Sequence, residues 1–310
     1  MYVIVMSYTQ ETLLALCRQG NLVVNADDIS PMRAGGIANS LYNIADKYVL
    51  RISVDNPEAL SDVLTESVAA PVAYEAGIRS PRLMYFDDSK NIINTPYTIY
   101  ELVPGKSLAK YGKTITENSQ IYYAVGAELA KLHTLVKDCP DPRNYLDHQR
   151  YADGRELIQE MFDRGYIGNF AREWLRERFD RLEPAMRTRG HKRAFLHGDN
   201  HTGNIMVHDG KFAAFIDWGD ACWGDPASDF MYLPTRAIPA TLEGYRSHAK
   251  ADEIMELRIL YYHLTGALYR LKSKPAQQLE DWAITPGSRL FELLAAATSH
   301  MLDSWKKVLA

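Results

Sequence analysis

The sequence predicts an α+β fold with two lobes, in which a small β-rich N-terminal lobe precedes a larger helical C-terminal lobe. Three observations favour this class. The chain has 310 residues, a length that suits two lobes of roughly 100 and 200 residues. Short alternating apolar segments fill the first third, and apolar residues at helical spacing dominate after residue 105. We therefore assign residues 1–103 to the first lobe and residues 104–310 to the second.

The first lobe begins with a helix predicted over residues 9–20, where leucines recur at helical spacing up to Gly20. A second helix is predicted over residues 61–76, starting from Ser61 as its N-cap, and Pro71 is expected to kink or split it. Runs of β-branched and aromatic residues bounded by turn residues predict strands at 22–25, 36–44, 47–52 and within 92–103.

The second lobe follows Pro104 and Gly105, which interrupt the strand pattern, so we expect the hinge between the lobes at residues 101–105. Helical spacing then predicts one helix over 117–136, two helices within 154–189, and further helices from residue 242 to the end. Strands return at 195–196, 205–207 and 212–216.

The composition narrows the functional classes. The formal net charge of −4 argues against a dedicated nucleic-acid binder, for which a basic stripe is expected. No apolar run approaches the ~18 residues of a membrane helix, and Met1 to Tyr8 lack the positive leader of a signal peptide. Cys17, Cys139 and Cys222 lie far apart, which indicates reduced thiols in a cytoplasmic protein. The sequence leaves the oligomeric state open.

Polar residues are concentrated between residues 197 and 229. Asp199 and Asn204 share one short loop at D-x-x-x-x-N spacing, and Asp217 follows 13 residues later (217 − 204 = 13), after a predicted hairpin. Phosphoryl transfer needs a carboxylate beside the acceptor hydroxyl and hard oxygen ligands for Mg²⁺. The three residue types at this spacing are typical of kinase catalytic loops.

The whole segment resembles the aminoglycoside phosphotransferase family, whose wider relatives include choline, homoserine and methylthioribose kinases. The blocks that carry the resemblance are His-Gly-Asp-x-His-x-x-Asn from residue 197, Ile-Asp-Trp from 216 and Gly-Asp-Pro-x-x-Asp from 224. The resemblance implies a bilobal protein-kinase-like fold with ATP or GTP between the lobes. It also implies that Asp199 is the catalytic base and that Asn204 and Asp217 bind magnesium, while Asp225 and Asp229 brace the loops.

The resemblance extends to a nucleotide site in the first lobe. Arg51 stands where the family's third strand places a phosphate-binding Lys or Arg. Glu66 is the candidate partner of Arg51, with Glu58 and Glu75 as nearby alternatives. Further nucleotide contacts are implied for Gly36 and Asn39, in the loop that would cover the phosphates, and for Glu101 and Val103, in the hinge that would read the base.

Two other classes remain open from the residues alone. The spacing His197-x-Asp199-x-His201 also occurs in metal-dependent hydrolases, in which zinc activates water. A kinase-like binding module without activity is the other; the presence of Asp199, Asn204 and Asp217 argues against it.

The acceptor of a kinase would be a small molecule with a hydroxyl group, either an aminoglycoside-type antibiotic or a metabolic amino alcohol or sugar. Aminoglycosides carry several ammonium groups, yet residues 251–310 contain seven acidic and seven basic residues. The sequence therefore gives no sign of a strongly anionic acceptor pocket in that stretch.

Overall fold

A five-stranded antiparallel sheet dominates the N-terminal part of the computed structural model, which describes residues 8–32, 39–148, 153–188, 193–272, 293 and 302–309. The sheet has the order β1-β2-β3-β5-β4. Its strands are β1 Ile29–Met32, β2 Asn39–Ile44, β3 Tyr48–Ser53, β4 Leu83–Asp87 and β5 Tyr97–Glu101. Helix α1, Gln10–Gln19, packs on this sheet through Leu13, Leu16 and Cys17, which bury against Leu50 and Ile99. The alternation of buried residues along β2 matches a sheet with one covered face.

Helix α2, Pro57–Glu75, follows the third strand. It begins four residues earlier than predicted because Asn56 caps it: the Asn56 side chain accepts a hydrogen bond from the Ala59 amide at 2.9 Å. Pro57 occupies the first turn, where its missing N–H costs nothing. The helix also continues through Pro71, so the predicted split was wrong.

The C-terminal part is mainly helical and encloses the larger core. Its helices are α3 Ser119–Leu135, α4 Gly154–Asp163, α5 Asn169–Arg187, α6 Ile238–Arg246, α7 Glu253–Arg270 and α8 Asp303–Leu309. Its strands are β6 Lys106–Ser107, β7 Asp147–His148, β8 Ala194–Leu196, β9 Ile205–His208, β10 Lys211–Phe215 and β11 Cys222–Gly224. They form two three-stranded sheets, β10-β9-β6 and β7-β11-β8. Ala69, Ala70 and Ala73 of α2 belong to this larger core, so α2 links it to the N-terminal sheet.

Most predicted elements of the described ranges are present, with differences among the strands. The predicted strand at residues 22–25 is absent, because the Leu22 amide instead donates to the Cys17 carbonyl at the end of α1 and Val23 is fully exposed. Strands β1, β4, β6, β7 and β11 were not predicted. The lobe boundary after Val103 stays a prediction. No helix of the described ranges is long and apolar enough to cross a membrane.

Helices α3 and α6 cross at very short distance because each contributes a glycine to the contact. A Cβ atom on Gly126 would lie 1.8 Å from the Thr241 carbonyl oxygen, and one on Gly244 would lie 1.8 Å from the Tyr123 carbonyl oxygen. Backbone therefore packs on backbone at this crossing, and no side chain fits at either glycine.

We expect Gly126→Ala to destabilise the protein by about 3 kcal/mol, because the added methyl group meets backbone and forces the two helices apart. Thermal or denaturant unfolding measures this change. Gly266→Ala in α7 is the matched control, since its Cβ meets only the flexible Met231 side chain; we expect a change within about 1 kcal/mol. Equal stability of the two variants would contradict the close helix crossing.

Candidate active site

The loop between β8 and β9 carries Asp199. Gly198 precedes it with φ = +85°, and a Cβ atom at that position would lie 1.9 Å from the Asp220 carbonyl oxygen. Only glycine fits this turn, which immediately precedes Asp199. The Asp199 side chain is 30% exposed, so a substrate can reach its carboxylate.

Asn204 closes the same loop and is held against Asp199. Its Nδ2 atom donates to the Asp199 carbonyl oxygen at 3.0 Å and to Asp199 Oδ2 at 3.1 Å. Because both partners are acceptors, the amide nitrogen must face Asp199 and the amide oxygen must face the other way. The amide oxygen of Asn204 therefore takes no part in the contact with Asp199.

Asp217 follows β10 and lies beside this loop, since the Ile216 amide donates to the Asn204 carbonyl at 3.0 Å. Its φ of +68° is unusual for a residue other than glycine. The Asp217 side chain is 43% exposed, and its Oδ1 lies 2.9 Å from Arg51 Nη2. Partial burial would raise the pKa of Asp217, but the Arg51 guanidinium outweighs it and holds the pKa below its usual value.

Arg51 on β3 joins the N-terminal sheet to this loop. Its Nη1 lies 2.6 Å from Glu66 Oε2, while its Nη2 contacts Asp217, which is 166 residues away in the sequence. Both Arg51 and Glu66 are buried. Burial by itself would lower the pKa of Arg51, but the negative charges of Asp217 and Glu66 outweigh it. The pKa of Arg51 is therefore raised, and the guanidinium stays protonated. Of the three candidate glutamates, Glu66 makes the ion pair with Arg51.

The buried residue Asp229 holds the start of the loop that carries Asp199. Its carboxylate accepts hydrogen bonds from the His197 amide and the Gly198 amide, each at 2.9 Å, and lies 3.0 Å from His133 Nε2 of α3. Burial would raise the pKa of Asp229, but His133 and the Gly198 amide hold it below its usual value. Asp225, the other predicted brace, forms a buried ion pair with Arg258 at 2.9 Å.

The remaining predicted nucleotide contacts lie in the N-terminal sheet and in the segment that follows its strand β5. Glu101 ends β5, and its amide donates to Arg82, whereas the described residues offer no backbone acceptor to the amide of Val103. Val103 is thus able to donate to a ligand. Asn39 is the first residue of β2, and Gly36 lies outside the described residues.

Two carboxylates that the sequence did not single out lie close to Asp199 and Asp217. Asp62 of α2 packs against Gly219. Desolvation and the charge of Asp217 raise the pKa of Asp62 to about 6, and desolvation and the charge of Asp199 raise the pKa of Asp220 to about 7. Asp220 is three residues after Asp217, so the sequence alone could have indicated it as a site residue. Asp62 lies near Asp217 only because of the tertiary packing of α2.

The raised pKa of Asp220 predicts how stability depends on pH. An unfolded aspartate titrates near pH ~3.9, so the folded protein retains this proton between about pH 4 and 7 and loses stability as the pH rises through that window. We therefore expect Asp220→Asn, measured without divalent metal, to raise the unfolding temperature at pH 8 and to change it little at pH 4.5. Asp209→Asn, on the exposed turn between β9 and β10, is the control. An effect of equal size at both pH values would contradict the prediction.

The oxygen donors of this site suit Mg²⁺. Asn204 offers an amide oxygen, and Asp217 gives one carboxylate oxygen to Arg51 and keeps the other for a cation. Such hard oxygen ligands, few in number and completed by phosphates and water, are those that Mg²⁺ prefers.

The hydrolase alternative finds no support in the geometry. His197 is buried, its Nε2 donates to the Ile216 carbonyl at 3.0 Å, and burial lowers the pKa of the ring. His201 Nδ1 accepts from the Gly203 amide at 2.9 Å. In the part of the chain that the structure describes, no three His, Cys, Asp or Glu side chains are grouped closely enough to hold a metal ion as zinc hydrolases do.

The chain is similar to known phosphotransferases in sequence profile and in fold. The profile of the phosphotransferase enzyme family matches residues 30–258, while no curated protein sequence matches the chain. Among solved structures, the chain is similar to the GDP complex of aminoglycoside 2'-phosphotransferase-IIIa, with a TM-score of 0.64 and 14% identity over 91% of this chain and 95% of that one.

Two further solved structures show the same fold. The apoenzyme of the macrolide 2'-phosphotransferase MphH from Brachybacterium faecium gives a TM-score of 0.55 and 19% identity over 84% of this chain and 90% of that one. Spectinomycin phosphotransferase APH(9)-Ia, in complex with ADP and spectinomycin, gives a TM-score of 0.59 and 13% identity over 86% of this chain and 87% of that one. At these identities the likeness concerns the fold, and it confirms the predicted fold class.

Proposed function

Because the chain belongs to the phosphotransferase enzyme family, we propose that it is a kinase that transfers the γ-phosphoryl group of ATP or GTP to a hydroxyl group of a small molecule. The observation that carries this proposal is that Asp199, Asn204 and Asp217 lie together. Arg51, on β3 of the N-terminal sheet, forms an ion pair with Asp217. These are the parts that phosphoryl transfer requires: a base, ligands for a metal and a cation for the phosphates.

Each residue has a distinct role in the proposed reaction. Asp199 is partly exposed, so it orients the acceptor hydroxyl and takes its proton. Asn204 and Asp217 would hold Mg²⁺, which on binding supplies positive charge to the phosphate oxygens. Arg51 steadies the remaining phosphates, and Glu66 keeps its guanidinium in place. The backbone of Glu101 and Val103 binds the nucleotide base, which the amide of Val103 is able to meet as a donor.

We propose an aminoglycoside-type antibiotic as the acceptor. Solved antibiotic phosphotransferases share the fold, and the site carries more carboxylates than one metal ion needs. Burial raises the pKa values of Asp62 and Asp220, and repulsion from the charges of Asp217 and Asp199 raises them further. A cationic acceptor would relieve this repulsion. A metabolic amino alcohol such as choline would also do so, with a single positive charge, and is the second candidate.

The test is magnesium-dependent release of ADP from ATP, or of GDP from GTP, in the presence of two panels of acceptors. One panel contains aminoglycosides, macrolides and peptide antibiotics; the other contains choline, ethanolamine, homoserine, methylthioribose and simple sugars. We expect turnover with an aminoglycoside. Turnover with the second panel alone would contradict the antibiotic acceptor and keep the kinase, whereas absence of both turnover and nucleotide binding with magnesium would contradict the kinase.

We also place the enzyme in the cytoplasm. The proposed reaction draws on ATP or GTP, and the three cysteines are buried in the described structure, as expected for thiols that stay reduced.

A further inference from the structure

His201 lies in the loop two residues after Asp199, and its ring orientation is fixed by the backbone. The Gly203 amide donates to His201 Nδ1 at 2.9 Å. A backbone N–H is always a donor, so Nδ1 must be the acceptor and the neutral ring carries its proton on Nε2. The ring is nearly buried, with 10% of the side chain exposed, so this orientation is held by packing as well.

The Nε2 atom of His201 lies 3.3 Å from Asp199 Oδ2. Asn204 Nδ2 lies 3.1 Å from the same oxygen. Asn204 Nδ2 therefore donates to Oδ2 and His201 Nε2 lies within ion-pair distance of the same oxygen, whereas no hydrogen bond of the described residues reaches Oδ1. A carboxylate held at one oxygen keeps its second oxygen in a fixed position and available to a substrate.

We propose that His201 is a positioning residue, which holds the Asp199 carboxylate through Oδ2 so that Oδ1 is the oxygen that takes the acceptor proton. The inference rests on the proposed kinase function. In the step, the hydroxyl O–H bond breaks and its proton moves to Asp199 Oδ1, while the hydroxyl oxygen forms a bond to the γ-phosphorus. The bond from the γ-phosphorus to the bridging oxygen breaks, and its electron pair leaves with the nucleoside diphosphate.

The competing role for His201 is that of a turn cap, which would need only the bond from the Gly203 amide. Two substitutions separate the roles. In His201→Asn the amide oxygen takes the position of Nδ1 and keeps the bond to Gly203, but the side chain is too short to reach Asp199. In His201→Gln the amide nitrogen takes the position of Nε2 and keeps a donor for Asp199.

We expect His201→Asn to lower kcat roughly 10- to 100-fold, since a displaced base loses its alignment with the hydroxyl. KM for the nucleotide should change less than about threefold, because His201 is not among the nucleotide-binding residues proposed above. His201→Gln should retain about tenfold more turnover than His201→Asn. Turnover is measured as ADP or GDP release in the presence of an acceptor identified in the panels. A second measurement without acceptor reports the hydrolysis of the nucleotide by water.

The Asp199→Asn background supplies the control. If His201 acts through Asp199, adding His201→Asn to Asp199→Asn should lower kcat no further. A folded His201→Asn variant with normal kcat, or one as active as His201→Gln, would overturn the proposal in favour of a turn cap. If His201→Asn unfolds, a His201→Gln variant that loses as much turnover as Asp199→Asn overturns it instead. Failure of the kinase function is distinct, since the unsubstituted protein would then show neither turnover nor nucleotide binding with magnesium.

Discussion

Asp199→Asn should lower turnover about a thousandfold or more and leave nucleotide binding nearly intact. The substitution keeps the shape of the side chain and an oxygen that can accept from Asn204 Nδ2, but the amide cannot take a proton from the acceptor. General-base catalysis is commonly worth ~10²–10⁴ in rate. Turnover is measured as ADP or GDP release at saturating acceptor, and nucleotide affinity by calorimetry with magnesium.

Asp209→Asn is the matched control for this variant. Asp209 is an exposed aspartate on the turn between β9 and β10, with 86% of its side chain accessible, so the same loss of charge occurs outside the site. We expect wild-type turnover from it. If the Asp199→Asn variant retained more than about a tenth of wild-type turnover, Asp199 would not be the base.

Asp217→Ala should weaken the magnesium-dependent part of nucleotide binding by at least about tenfold, which corresponds to ~1.4 kcal/mol. Two effects act together. The variant loses a carboxylate ligand for the metal, and Arg51 loses the partner that draws it toward the loop at 2.9 Å. Calorimetric titration of ATP or GTP, with magnesium and with a chelator, separates the two contributions. In the chelator, the variant and the wild type should differ much less.

A second substitution at the same position separates the effect on metal binding from the effect on the contact with Arg51. Asp217→Asn keeps an oxygen for Arg51 Nη2 and removes the negative charge, so it should retain the contact to the sheet and still bind magnesium weakly. Nucleotide affinity in magnesium that is unchanged in Asp217→Ala would exclude Asp217 as a metal ligand.

The arrangement of the loop that carries Asp199 and Asn204 could be predicted from the sequence because its geometry is local. Asp199 and Asn204 are five residues apart on one turn, and a hairpin of fixed length returns the chain to Asp217, so their spacing along the chain sets their positions in space. The ion pair of Arg51 with Glu66 could be proposed only by resemblance. Residues 51 and 66 lie on a strand and a helix whose packing no local pattern specifies.

Other features depended on contacts that the sequence does not display. Residues 22–25 have strand-like composition, but the Leu22 amide is used to close α1, and local composition cannot show this competition. Asp62 lies on a helix more than 130 residues before the loop that carries Asp199, so the crowding of its carboxylate with Asp217 arises only from the packing of α2 on Gly219.

The glycine crossing of α3 and α6 also limits how this sequence can diverge. Gly126 and Gly244 each face the backbone of the other helix, so either one mutated alone must carry the full cost of separating the helices. Once they are separated, the second methyl group finds room already made. The two substitutions should therefore be strongly non-additive, and an evolving or engineered variant would leave this arrangement more easily by changing both positions together than by changing them one at a time.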